Sequence, residues 1–267
     1  IGPRPAGQPP GYRYELVSRG SLMAPGDSSE PDLPAMMSIS GGIDPDGRRI
    51  SADQLGIATG QGEVFGTAGL LLEPGKTPGV DLSLAVNRMP VGHAKTIWPW
   101  FVAPGARRWA MQHVFGGVLE NTQIRLDAEP GFFGQGVPLD AERLEATFHL
   151  SGTRFDVAGA IPPVRDAVGT VALKGMDIDI GLASGTVYMP SGRTVAAQGG
   201  TLAIRDANVT PLIGDLDMDL AGSADAIVEL ASYDPIDVSR FIELAPGDLS
   251  GAVSGKVKAL VPLQAGI

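Results

Sequence analysis

Alternation of apolar and polar side chains with a period of two is the feature that most constrains what this chain can fold into. Val80, Leu82, Leu84 and Val86 alternate with Asp81, Ser83, Ala85 and Asn87, and Ile124 and Leu126 alternate with Arg125 and Asp127. Leu144, Ala146, Phe148 and Leu150 oppose Glu145, Thr147 and His149; Met176, Ile178, Ile180 and Leu182 oppose Asp177, Asp179 and Gly181; Leu216, Met218 and Leu220 oppose Asp215, Asp217 and Asp219. Successive residues of a strand face opposite ways, so each stretch has one greasy face and one wet face. Such strictness belongs to antiparallel sheets with a solvated side, because parallel strands covered on both sides read as continuous apolar runs.

The 37 glycines and 22 prolines are spread between these runs and mark frequent turns, the clearest being Asp46-Gly47 and Pro74-Gly75. Strands are predicted over 36–40, 50–59, 63–72, 80–89 and 118–128, and the alternating stretches add more. Only two helical interruptions stand out, 90–115 and 236–244, too few to supply the crossovers of a doubly wound α/β fold. The expected fold is therefore all-β: a long antiparallel twisted sheet curled into a groove or incomplete barrel, with one short helical insertion. The expected organisation is a flexible lead-in (1–11), an N-terminal β segment (12–89), a helical plug (90–117) and a C-terminal β segment (118–267) with a short helix near 236–244. No run approaches the roughly twenty apolar residues of a membrane span. The first residue is Ile1, and the chain reads as an interior piece of a longer protein.

The break in the β pattern, WPWFVAPGARRWAMQHVFGG over 98–117, holds all three tryptophans. Pro104 suits a first helical position and Gly116-Gly117 can supply the left-handed residue that ends a helix. Ala106, Trp109, Ala110, His113 and Val114 fall on one helical face, with Arg107, Arg108 and Gln112 pointing away. The expectation is a helix plugging the end of a β core with a buried Trp109. Two outward arginines could touch lipid phosphate, or form a solvated face.

Little in the sequence carries catalysis. The net charge of -10 repels phosphate backbones, so nucleic acid is a poor partner. Without cysteine there is no disulfide, zinc-thiolate site or thiol nucleophile. His93, His113 and His149 are scattered and build no metal-ligand pair, and no metal or cofactor is assigned. Asp215, Asp217 and Asp219 resemble the opening of a calcium loop, but Leu220 replaces the required glycine; a solvated strand face is favoured over weak divalent-ion binding. Gly60, Gly62 and Gly66 have the wrong spacing for a dinucleotide loop and read as a turn and a strand kink. There is no nucleophile elbow and no phosphate loop.

Trp98-Pro99, then Pro104, the Arg107-Arg108-Trp109 run and the closing Gly116-Gly117 before a strand resemble the central region of the AsmA-like family, with a looser likeness through the later strands to Val261-Pro262-Leu263. That resemblance implies a segment of an inner-membrane-anchored envelope protein of Gram-negative bacteria. It implies a periplasmic location, phospholipid as ligand, and a β-groove carrying it towards the outer membrane. Envelope proteins and neighbouring segments of the same chain would be the partners, and membrane anchoring would come from parts outside this stretch. On this view Leu82, Leu84, Val86, Ile124, Leu126, Phe148, Leu150, Ile178, Ile180, Leu216, Met218 and Leu220 line the groove, and no enzyme activity is expected. Two rivals remain open: a structural or assembly role through sheet edges, and a carbohydrate-active β-protein, which would need two placed acids and aromatic platforms. The periodicity leaves open whether the greasy face meets a second sheet, closes into a barrel or lines a trough.

Overall fold

Turn chemistry sets the architecture. At Asp46-Gly47 the Gly47 N–H donates to the Asp44 carbonyl at 2.9 Å, and after Pro74-Gly75 the Lys76 N–H donates to Glu73 at 3.2 Å, so each flanking pair of strands folds back antiparallel. The structure, a computed structural model, describes all residues except 6, 8, 9, 29, 101, 158, 235, 241–245 and 264–267, and the side chains of 239 and 246.

The strands in chain order are β1 (Gly2–Pro3), β2 (Tyr12–Met23), β3 (Leu33–Ile43), β4 (Arg49–Thr59), β5 (Gly62–Leu71), β6 (Gly79–Pro90), β7 (Val114–Phe115), β8 (Val118–Ala128), β9 (Leu144–Phe155), β10 (Val164–Lys174), β11 (Asp177–Tyr188), β12 (Thr194–Ile204), β13 (Ile213–Ser223) and β14 (Ala252–Pro262). The helices are α1 (Val91–Ile97), α2 (Pro104–His113) and α3 (Ala224–Ala231). Strands pair in chain order from β1 to β14, apart from β7, which lies off this path and pairs with β9; the end strands do not join, so the sheet is not closed into a barrel. The expected long antiparallel sheet is thus present. The helical content differs from expectation: the insertion holds two helices, α3 was not foreseen, and of 236–244 the described part forms only a 3-10 turn at Val238–Arg240, with 241–244 lying outside the described residues.

The chain divides into two compact units. The first comprises Ile1–Trp100, Leu119–Phe148 and Ala172–Met176; the second comprises Phe101–Val118, His149–Val171 and Asp177–Ile267. In the first unit, α1 follows β6 without a loop, and its Ala94 and Ile97, like Ile57 and Leu84 of the sheet, pack against buried Val64, Val86 and Met89. Lys95 of this helix is buried and ion-paired to Glu30 at 2.8 Å. Gly66, in the middle of β5, admits a close approach: a Cβ there would sit 1.9 Å from the Ser83 carbonyl oxygen of β6. The glycine expected to kink the strand instead marks a close approach of two backbones, on a β5–β6 ladder that keeps its register.

In the second unit, α3 follows β13 just as directly, and Ala226 and Leu230 join Val164, Ala167, Val187, Met189 and Val195 in a core. Arg193 clamps α3 from the strand side, donating to Asp225 at 2.6 Å and Glu229 at 2.8 Å. In α2, Pro104 begins the helix as expected, but the buried stripe is displaced by one residue. Trp109 is 42% exposed, whereas Arg107 is 2% exposed and Val114 is buried. Arg107, Ala110, Met111 and Val114 form an i, i+3, i+4, i+7 set as good as the one containing Trp109. Charge alone argued against it, yet a long aliphatic stem can lie in a core. The helix ends at His113 and the chain extends into β7, where Val114 pairs with Phe155. Gly116 and Gly117, both at positive φ, then turn it into β8 instead of capping the helix.

These burials give an expected outcome for urea denaturation. Met89→Ala removes a fully buried side chain and is expected to cost about 2 to 5 kcal/mol, whereas Trp109→Ala is expected to cost about 1 kcal/mol or less, as for half-exposed positions. Equal shifts of the two midpoints would contradict this assignment of the packed faces.

Candidate functional site: an apolar sheet face

Cross-strand register builds the candidate site. In the first unit, residues directly opposite one another form rows across β2 to β6: Ser18–Met37–Ile57–Val64–Val86, Leu16–Ile39–Leu55–Gly66–Leu84, Tyr14–Gly41–Ala52–Ala68–Leu82 and Tyr12–Ile43–Ile50–Leu70–Val80. Opposed residues share a face, so Leu82, Leu84 and Val86 belong to one apolar surface. Its end beneath α1 is dry, with Val64 and Val86 buried. Further along, Leu82 and Leu84 are half-buried, Leu70 is exposed and Leu16 is 64% exposed. Ile124 and Leu126 on β8 and Phe148 on β9 are half-buried in the same unit, and on β8 the exposed Gln123, Arg125 and Asp127 take the opposite side.

The second unit repeats the arrangement. Rows across β11 to β14 read Ile178–Ile204–Gly214–Val261, Ile180–Leu202–Leu216–Ala259 and Leu182–Gly200–Met218–Val257. Leu220 opposes Ala197 next to the α3 core and packs against it. Ile178, Ile180, Leu216, Met218 and Leu220 are all half-buried; Leu150, on β9, is buried. The twelve residues expected to line a groove thus divide between the two units, six in each. Leu16, Ile39, Leu55, Leu202 and Val257 belong to the same faces and went unremarked in the sequence. Register shifts between Ser18 and Ser21, Ala52 and Leu55, and Ala197 and Gly199 break the period of two in β2, β4 and β12, and the paired glycines of β12 blur it further.

The opposite faces carry the charges, although in the first unit the exposed Val17, Met36 and Phe65 lie there too. In the first unit Arg4, Arg13, Ser40, Ser51 and Asp53 line an open hollow of about 420 Å³, with Arg4 paired to Asp44 at 3.4 Å. In the second, the acidic run of β13 meets a lysine row on β14. Lys256 lies 2.8 Å from Asp217 and 3.1 Å from Asp219, and Lys258 lies 3.0 Å from Asp217. On β11, Asp179 and Asp177 receive Arg205. The weaker expectation of divalent-ion binding at the acidic run is corrected: ammonium groups occupy the space between its carboxylates. Among the described residues no group of three potential ligands is placed to hold a metal.

The histidines and signature residues have local structural settings. His93 Nδ1 lies 3.0 Å from Thr59 Oγ1, the His113 ring stacks obliquely on Trp109, and His149 is exposed. Trp98 and Pro99 belong to the first unit; Pro104, Arg107, Arg108, Trp109 and Gly117 belong to the second. Arg107 is buried and so does not face solvent as expected, while Arg108 does.

The chain matches no family model, no curated protein and no solved structure. What the geometry offers chemically in each unit is an apolar face, dry under a short helix and mostly half-buried beyond it, with buried residues again at Ala52 in the first unit and Ile204 in the second.

The ion pairs have a definite pH signature. Hydrogen bonds from Lys256, then Lys258, hold the Asp217 carboxyl below its ordinary range. A depressed carboxylate stabilises the fold above its unfolded pKa of about 3.9, and this contribution is lost as pH falls through the lower folded value. Asp217 and then Asp219 raise Lys256. Its contribution is complete below the unfolded value of about 10.4 and is lost as pH rises through the folded one. Amide protection of the β13–β14 ladder is therefore expected to be flat across neutral pH and to fall at both extremes, with Lys256→Met flattening the alkaline limb. Protection independent of pH would mean that the pairs contribute nothing.

Proposed function

We propose that the chain is a phospholipid-conducting segment of an AsmA-like envelope protein, acting in the periplasm without catalysis. The observation that supports this most is the half-exposed state of Leu82, Leu84, Ile180, Leu216 and Met218, on faces continuous with a dry end beneath a helix. A sandwich core would bury such residues against an opposing sheet. Acyl chains leaving water for this lining gain about 0.8 kcal/mol per buried methylene, while head groups stay where water reaches them. Movement along such a lining needs no bond to form or break, and its direction would come from a source or sink of lipid. The resemblance at Trp98, Pro99 and the Arg107-Arg108-Trp109 run supports the family part of the proposal.

Photo-crosslinking in cells tests it. Crosslinkers at Leu84, Phe148 and Ile180 are expected to capture phospholipid, and crosslinkers at the exposed Asp81, His149 and Asp179 are not. Equal capture from both sets, or none from the apolar set in a folded protein, would remove the lipid-conduction proposal.

A further inference from the structure

The hollow on the charged side of the first unit is built by local departures from the regular sheet. Across β2, β3 and β4, Arg13 opposes Gly42 and Gly42 opposes Ser51, so the middle strand raises no side chain between Arg13 and Ser51. The Arg4 side chain lies over that gap: a Cβ at Gly42 would overlap its guanidinium, and one at Gly11 would come within 3.3 Å of its Cζ. It is held loosely, with Pro10 O and Asp44 Oδ1 each at 3.4 Å. Next to this row the register slips. Ala52 opposes Gly41 and Gln54 opposes Ser40, which leaves Asp53 opposite no residue of β3, and on β5 Asp53 and Gln54 together stand against Thr67. Ala52 and Leu55 both keep to the apolar face, so the bulge turns Asp53 and Gln54 in succession to the charged side, where both are exposed. From the other face the Tyr14 hydroxyl donates to the Ser51 carbonyl at 2.9 Å, beside Gly41, where a Cβ would overlap that carbonyl.

The groups that face this hollow have capacity left over. Arg13 and Asp53 are exposed, and among the described residues their side chains make no hydrogen bond or ion pair, including with one another. Ser51 Oγ accepts from the Gly42 N–H at 3.3 Å and keeps its own proton to donate. Each guanidinium has five donors, of which Arg4 engages two. A carboxylate satisfies one guanidinium fork, whereas the three free oxygens of a phosphate monoester can accept from two forks and a hydroxyl. A bare anion does not suit the hollow, because Asp53 lines it and Glu15, opposed to Ser40, is a further exposed carboxylate on the same side. A bare cation meets the arginines. A ligand of both signs satisfies both sets. Arg13 and Asp53 stand on strands about 10 Å apart, with β3 between them, a span that a compact zwitterion bridges within a hollow of about 420 Å³.

We propose that this hollow binds a small phosphate monoester carrying a primary ammonium group, with the phosphate held by Arg4, Arg13 and Ser51 and the ammonium by Asp53. The site lies on the face opposite the apolar lining and holds no acyl chain, so it goes beyond lipid conduction, and either can fail alone. The test is isothermal titration calorimetry of the 267-residue chain with O-phosphoethanolamine. One saturable site is expected, with inorganic phosphate and ethanolamine each at least tenfold weaker. Glycerophosphoethanolamine, the diester of a lipid head group, is also expected to bind at least tenfold more weakly. Arg13→Gln is expected to weaken O-phosphoethanolamine at least tenfold. Asp53→Asn is expected to do the same while leaving inorganic phosphate bound no more weakly than by the unmodified protein, a split that a merely structural role would not produce. In the unmodified protein, saturation is expected to shift the amide resonances of Gly42, Ser51 and Asp53, a readout that depends on no variant. Absence of saturable binding, unchanged resonances at these amides, inorganic phosphate or the diester binding as tightly as O-phosphoethanolamine, or full affinity in either folded variant overturns the proposal.

Discussion

The whole molecule depends on a mismatch between the length of its strands and the length of the helices that cover them. Backbone groups within the sheet satisfy one another across the ladders, so the sheet needs no second layer for its hydrogen bonds. Its apolar face does need cover. Strands of 10 to 12 residues, such as β5 and β6, extend roughly 33 to 40 Å at about 3.3 Å per residue. Helices α1 and α3, of 7 and 8 residues, are only about 10 to 12 Å long. Each helix thus dries one end of the face in its own unit. Val86 and Val195 lie in the dry ends, half-buried Leu84 packs at the margin of the first, and Leu82 and Met218 lie beyond them.

The wet faces are tied together differently. Charges sit in matched rows, with Asp217 and Asp219 facing Lys258 and Lys256 across a ladder. Exposed pairs of this sort contribute little individually. Arranged in register, they make a one-residue slip costly, because slippage would turn Val257 towards water and a lysine towards the apolar side. Charge rows and apolar rows therefore specify the same register from opposite sides of the sheet.

Much of this was legible in the sequence. Strict alternation in 80–86, 144–150 and 215–220 located β6, β9 and β13, and β8 occupies the span its alternation gave, Val118–Ala128. Legibility failed where a local device interrupts the period. In β12, Gly199-Gly200 beside a register shift hid a full-length strand. In β14, Gly255 and two lysines disguised an edge that needs no buried face. Helix α3 was missed because it is shorter than most helices, although Ala224, Ile227, Val228 and Ala231 carry the helical period and Ser223 stands at the N-cap. The displaced stripe of α2 is a different failure: two apolar faces one residue apart competed, and a guanidinium was placed in the core where an indole was expected.

The order of the strands has one further consequence. Because β2 to β6 and β9 to β14 each pair with the strand before them in the chain, and β8 pairs with β6, contact order stays low for so extended a β structure, and each of these strands finds its template already made when it arrives. Such a sheet can assemble by accretion, one hairpin at a time, as the polypeptide is delivered, with no late joining of distant ends. It also behaves as a nearly one-dimensional array: two adjoining strands could be lost or gained between neighbours of suitable register, and the sheet would change in length while its architecture stayed the same.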